Sequence, residues 1–274
     1  MGRRLSADIL RTGISFLSFI ASVIVWPGIA AAEGRFLATQ PAVRIEYWQK
    51  REAQITKELA DKAHLPAVRL VFLGDSITDF WSLDENPWMP GRYCGRQLWD
   101  ETFAGKDPRL TSINLGISGD RTEHVLQRLL PRTQGGGGEL DAPELQPYAV
   151  VLLIGINNSW AAESPAADSV YAGMVAVIES VHARKPMSRI VLQTLLPTNE
   201  RARNREVVEP VNARLIALAQ DKSRGYLQLV DLHADFVDAQ GEQITEYFND
   251  GLHPSLAGYR VWRDRLVREL SNVH

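Results

Sequence analysis

Cysteine is nearly absent from this 274-residue chain: Cys94 is the only one. An intramolecular disulfide is therefore excluded, and a lone thiol reads first as a buried structural residue rather than as a nucleophile. The six histidines are scattered, and neither HExxH nor CxxC occurs, so no metal and no other cofactor is expected. An excess of positive charge is also missing. The formal net charge is -3 and the isoelectric point about 6.1, which argues against a nucleic-acid partner, since that would call for a basic face. Long apolar runs are lacking beyond residue 32, so no stable membrane span is expected in the remainder. What is present is an ordinary globular composition, 45% hydrophobic and 23% charged. A single α/β domain of roughly 200–250 residues would use most of the chain.

The first 32 residues have a different character. Arg3, Arg4 and Arg11 make a basic start, Ile14 to Trp26 is uncharged and apolar, and Ala30, Ala31 and Ala32 supply small residues for cleavage. That order reads as a secretory signal peptide over 1–32, cleaved near Ala32, with export to the periplasm or exterior; an uncleaved anchor is the alternative. A helical extension over 33–65 and a main domain over 66–274 complete the expected division.

Beyond the leader, short apolar runs alternate with longer amphipathic stretches. Val68–Leu73, Ser112–Ile117, Ala149–Ile154, Arg189–Thr194 and Tyr226–Asp231 read as buried strands. Helical patterns cover Tyr47–Ala63, Arg121–Leu130, Ala166–Arg184, Val207–Lys222 and Ser255–Leu270. Alternation with continuously apolar strands predicts a parallel sheet covered on both faces, an α/β fold in three layers, α/β/α. In such sheets ligands bind beyond the carboxyl ends of the strands. Segments that follow strands are thus candidates for chemistry. The Gly135–Gly138 run precedes a strand and reads as a flexible connector.

Four segments carry chemistry. Gly74-Asp75-Ser76-Ile77-Thr78 follows the first strand and can present the Ser76 hydroxyl at the sheet edge, although a helix N-cap would account for it in isolation. Asn114–Asp120 (NLGISGD) ends the second strand, and a glycine there lets a backbone N–H approach a ligand, although a simple turn would account for it in isolation. Gly155-Ile156-Asn157-Asn158 follows the third, where an asparagine amide can donate into the same space or cap a helix. Asp250-Gly251-Leu252-His253-Pro254 precedes the last helix, and an Asp three residues before a His can accept its Nδ1–H and leave Nε2 as a base. Together they supply a nucleophile, an oriented base and three donors for an oxyanion, which is what acyl transfer requires.

GDSIT, NLGISGD, GINN and DGLHP resemble, in order, the four blocks of the SGNH (GDSL-type) hydrolases, over roughly residues 66–271. NLGISGDRTEHVLQRL followed by VVLLIGINN is most similar to the platelet-activating-factor acetylhydrolase catalytic-subunit branch and its bacterial relatives. The first block reads GDSI where the family name spells GDSL, an apolar-for-apolar exchange. The resemblance implies a flavodoxin-like sandwich with five parallel strands. It also implies Ser76 as nucleophile, Asp250 and His253 as its partners, and Ser76, Gly119 and Asn157 as oxyanion donors. No GxSxG elbow surrounds Ser76, which argues against the α/β-hydrolase fold.

The expected activity is hydrolysis of short-chain esters, acetyl by analogy with that branch, of a small-molecule or carbohydrate substrate. An acyltransferase using the same acyl-enzyme on a sugar hydroxyl is the alternative, and a homodimer is compatible with the branch. Trp81 and Trp88, in the long segment after the nucleophile block, and Trp160 after Asn157 are candidate substrate-binding walls. Arg201, Arg203 and Arg205 read as solvated charge, and Asp120 and Arg121 as structural.

Overall fold

A computed structural model describes residues 36–44 and 47–271; the expected leader over 1–32 lies outside the described residues. Five strands, β1 (Leu70–Gly74), β2 (Ser112–Asn114), β3 (Ala149–Leu153), β4 (Arg189–Gln193) and β5 (Leu227–Val230), form one sheet in the order β2-β1-β3-β4-β5. All four pairings are parallel. Each strand is short, and the central β1 and β3 are apolar and buried at every residue, as a sheet covered on both faces requires.

The α-helices of four or more described residues are α1 (Tyr47–Leu59), α2 (Ser76–Asp79), α3 (Arg96–Thr102), α4 (Thr122–Leu129), α5 (Ala166–Arg184), α6 (Glu209–Ala219) and α7 (Leu256–Ser271). Among the described residues of the expected helical extension, only α1 is α-helical. Residues 36–44 run as a strap with one 3₁₀ turn at Leu37–Thr39, bonded to the body by Thr122 Oγ1, which donates to Ala38 O at 2.7 Å. No helix among the described residues is long and apolar enough to cross a membrane.

Two expectations needed correction. β2 ends at Asn114 rather than Ile117, although the Leu115 and Ile117 N–H groups still donate to Phe72 O (2.8 Å) and Gly74 O (3.2 Å) of β1, and the Asn114 side chain fastens the segment that follows. Its amide donates to Thr78 O at 2.9 Å, and its Oδ1 accepts the Gly116 N–H at 2.8 Å. The Gly135–Gly138 run is not a loose connector. Its N–H groups donate to carbonyls of Arg132, Pro131, Gln127 and Leu130, and a Cβ at Gly136 would lie 2.2 Å from Leu130 O. The glycines let the backbone wrap the end of α4.

The core beneath the first crossover is aromatic. Phe72, Trp81, Trp99, Phe103, Tyr259 and Trp262 meet with ring centroids 4.6–6.4 Å apart. This cluster ties α7 to the strand that carries the GDSIT block. Tyr259 O–H donates to Ile77 O at 2.7 Å, so the last helix holds α2 in place one residue beyond Ser76.

Candidate active site

The order β2-β1-β3 places the ends of three adjacent parallel strands side by side, and GDSIT, NLGISGD and GINN leave from them. Ser76 opens α2, a single turn whose N-cap is Asp75; Asp75 Oδ1 accepts the Ile77 N–H at 3.0 Å. The serine is therefore the first helical residue, where its own N–H has no intrahelical acceptor. Asp75 is fully buried, and its Oδ2 has no partner among the described residues. Burial pushes its carboxyl up to about 7 against the Ile77 hydrogen bond.

His253 enters from the loop before α7. Its Nε2 lies 2.9 Å from Ser76 Oγ and its Nδ1 lies 2.7 Å from Asp250 Oδ2. Asp250 Oδ1 also accepts the backbone N–H groups of His253 (2.7 Å) and Leu252 (3.0 Å). Partial burial raises the Asp250 carboxyl, but the hydrogen bonds and charge of His253 outweigh it and hold the group below the usual carboxylate range. Asp250 thus stays ionised and directs the imidazole, with Nδ1 protonated and Nε2 facing the serine. The ring rests on Phe80, with centroids 4.9 Å apart at 24°, and Trp88 covers it at 5.2 Å.

Gly119 and Asn157 share a shallow pocket of about 280 Å³ with Arg121, Trp160 and Leu252, the neighbour of His253. Gly119 takes φ +79°, a region where other residues are strained. One Asn157 amide hydrogen donates to Asp120 O at 2.8 Å, which orients the group; an amide carries a second hydrogen. Asn158 instead braces the preceding helix, α4, because its Oδ1 accepts the Thr122 N–H at 3.0 Å and its Nδ2 donates to Glu123. A larger cavity of about 680 Å³ lies among α1, α3 and β2, and neither Ser76, His253 nor Asn157 lines it.

The tryptophans divide. Trp88 is 60% exposed over His253, and Trp160 is 41% exposed at the pocket rim, its ring backed by the Arg203 guanidinium at 4.1 Å. Trp81 corrects the expectation: at 0% exposure it belongs to the aromatic core and reaches no ligand. Its ring faces α7 because the turn after α2 points it inward, away from the sheet edge. Cys94 is also buried, and burial pushes its thiol up to about 12, so it is no nucleophile at neutral pH.

Sequence reasoning missed the buried polar support beneath these loops. Arg128 is fully buried; it donates to Asp120 Oδ2 (2.9 Å), Glu139 Oε2 (2.6 Å) and Leu115 O (2.8 Å). Burial raises Asp120 to about 7, although Arg128 and Arg44 oppose it. Asp79 Oδ2 accepts both the Ser118 N–H (3.1 Å) and its hydroxyl (2.7 Å). The buried Asn86 donates to Asp250 Oδ2 at 3.3 Å. Only Arg128 left a trace in the sequence, as a charge three residues after Val125 on the apolar face of α4.

A serine, histidine and aspartate in hydrogen-bonded sequence at the carboxyl edge of a five-stranded parallel sheet, beside a glycine loop and an asparagine, define the class of SGNH hydrolases. The sequence profile of the GDSL-like Lipase/Acylhydrolase family matches residues 72–261, and the chain belongs to that family as an ester hydrolase. It is 32% identical to human platelet-activating factor acetylhydrolase IB subunit alpha1 over 195 residues, covering 69% of this chain and 70% of the relative. In fold it is similar to a GDSL-like lipase from Bacteroides thetaiotaomicron (TM-score 0.56, 20% identity, 81% of this chain and 100% of that one). It is also similar in fold to an acetyl xylan esterase from Geobacillus stearothermophilus (TM-score 0.50, 22% identity, 74% and 94%).

Proposed function

We propose that the protein hydrolyses short-chain carboxylic esters, acetyl esters above all, through an acyl-enzyme on Ser76. The observation that carries the reading is the continuous path from Asp250 Oδ2 through His253 to Ser76 Oγ, at 2.7 and 2.9 Å. His253 Nε2 takes the Ser76 proton as Oγ attacks the ester carbonyl. The tetrahedral oxyanion meets the N–H groups of Ser76 and Gly119 and the Asn157 amide. Collapse breaks the ester C–O bond, and the imidazolium gives its proton to the leaving alcohol. Water, deprotonated by the same imidazole, then releases the acid and restores the serine.

Two features support a small acyl group. The relatives include acetylhydrolases, and the pocket beside Gly119 is shallow, at about 280 Å³. Trp160 and Trp88 at the rim suit the alcohol part of the substrate. Export through residues 1–32 belongs to the same proposal. The test is a chain-length series of nitrophenyl esters alongside acetylated sugars, on the wild type and on Ser76→Ala. Turnover falling with acyl length in the wild type and absent from the variant is expected. Undiminished hydrolysis by Ser76→Ala refutes the assignment.

A further inference from the structure

We infer that the N-terminal segment sets the oxyanion hole: Arg44 and Arg51, on the strap and α1, hold the loop that aims the Gly119 N–H. The inference rests on the esterase reading above. Both arginines precede the region matched by the family profile, residues 72–261. Arg44 Nη1 donates to Ser118 O at 3.0 Å and to Asp120 Oδ1 at 3.1 Å, gripping the residues on either side of Gly119. A Cβ placed on Gly119 would lie 2.8 Å from Arg44 Nη2, so the guanidinium lies against that glycine. Arg51 continues the grip along the same loop: its Nε donates to Gly116 O (3.1 Å) and Asp79 Oδ1 (3.0 Å), and its Nη2 to Asn114 O (2.8 Å).

The carbonyls of Asn114, Gly116 and Ser118 thus all end on two cations. The consequence for the site follows from peptide geometry. Ser118 C=O and Gly119 N–H belong to one planar trans unit and point in opposite directions. Whatever holds Ser118 O therefore aims the Gly119 N–H the other way. The hold is needed because a glycine at φ +79° can adopt alternative backbone orientations at little cost. A cation on the carbonyl also polarises the unit and strengthens its N–H as a donor.

The strap is placed firmly enough to do this. Ala42 N–H donates to Glu123 O at 3.0 Å, and the Leu37 and Ala38 N–H groups donate to the Glu163 carboxylate at 2.6 and 3.1 Å. Arg44 and Arg51 are positioning residues, and the Arg44 side chain remains 25% exposed, within reach of a small cation from solvent.

The experiment compares the wild type, Arg44→Ala, Arg44→Lys and Arg51→Lys in the full chain, using an activated acetyl ester. Arg44→Ala is expected to lower kcat by about 10- to 100-fold, somewhat less than outright loss of an oxyanion donor, with KM changed by no more than about twofold. Millimolar guanidinium should restore part of the lost kcat, and Arg44→Lys should fall between alanine and wild type. In spectra of ¹⁵N-glycine-labelled protein the Gly119 amide, identified by its loss in Gly119→Ala, should shift in Arg44→Ala. If Arg44→Ala does not fold, the lysine variants carry the same comparison of kcat and the Gly119 amide.

A kcat within about twofold of wild type, or a loss that guanidinium does not relieve with the Gly119 amide unmoved, overturns the inference. A wild type that cleaves no ester instead refutes the esterase reading. The Gly119 amide still decides the positioning in that case.

Discussion

Replacing Arg128 with methionine keeps much of the aliphatic stem but removes five N–H donors from a site with no access to water. Arg128 and Asp120 are both 0% exposed and Glu139 is 3% exposed, so two carboxylates would lose their shared cation in a dry interior. Breaking a buried ion pair by removing one partner costs about 3–5 kcal/mol. At about 2–4 °C per kcal/mol for a domain of this size, Tm should fall by about 6–20 °C at pH 8, followed by circular dichroism or calorimetry. The sign of the pH dependence checks the cause. Asp120, already raised to about 7 by burial, loses a cation that favours its ionised form and takes up a proton more readily in the folded variant. Its folded affinity for protons then exceeds that of the unfolded chain, so the penalty is complete at high pH and relieved as pH falls. The Tm deficit should therefore shrink at pH 5. A Tm within about 2 °C of wild type at pH 8, or a deficit that grows towards pH 5, refutes the reasoning.

Asp250→Asn should leave the fold intact and reduce kcat by about 10⁴-fold, as expected when the imidazole tautomer is no longer held; steady-state kinetics with an unchanged Tm checks it. Trp81→Ala should cost about 3–5 kcal/mol of stability, and a denaturant titration that finds less than about 1 kcal/mol contradicts its place in the core. Asp75 is raised to about 7 by burial, so its native carboxyl destabilises the fold progressively from about pH 4 to pH 7. The Tm of Asp75→Asn relative to wild type should therefore rise over that range, and a flat difference is the opposing result.

The layer order, the five strands and the four chemical blocks were legible because each depends on local signals. Apolar runs of strand length, turn residues at their ends and the parallel-sheet rule suffice to bring Ser76, Gly119 and Asn157 to one edge. Boundaries were less legible where pairing thins out, as beyond Asn114, where the Leu115 and Ile117 N–H groups still reach β1 although the strand has ended. Trp81 and Trp88 illustrate the limit more sharply. They stand seven residues apart in one aromatic-rich segment, yet one is sealed in the core and the other lies over His253. No periodicity in that segment separates them, because the chain direction after α2 decides which ring turns inward.

The sequence by itself determined the α/β/α architecture and the identity of the residues able to perform acyl transfer, since strand patterning and motif chemistry are local properties. Only the tertiary structure decided how those residues are held. Asn86 beneath Asp250, Asp79 beneath Ser118, Arg128 beneath Asp120, and Arg44 and Arg51 from the N-terminal segment all act across 28 or more positions or through burial that no spacing records. Buried charges must find partners wherever the fold brings them, because an unpaired one is too costly to retain. Those pairings are therefore set by the packed interior, not by the order of residues along the chain.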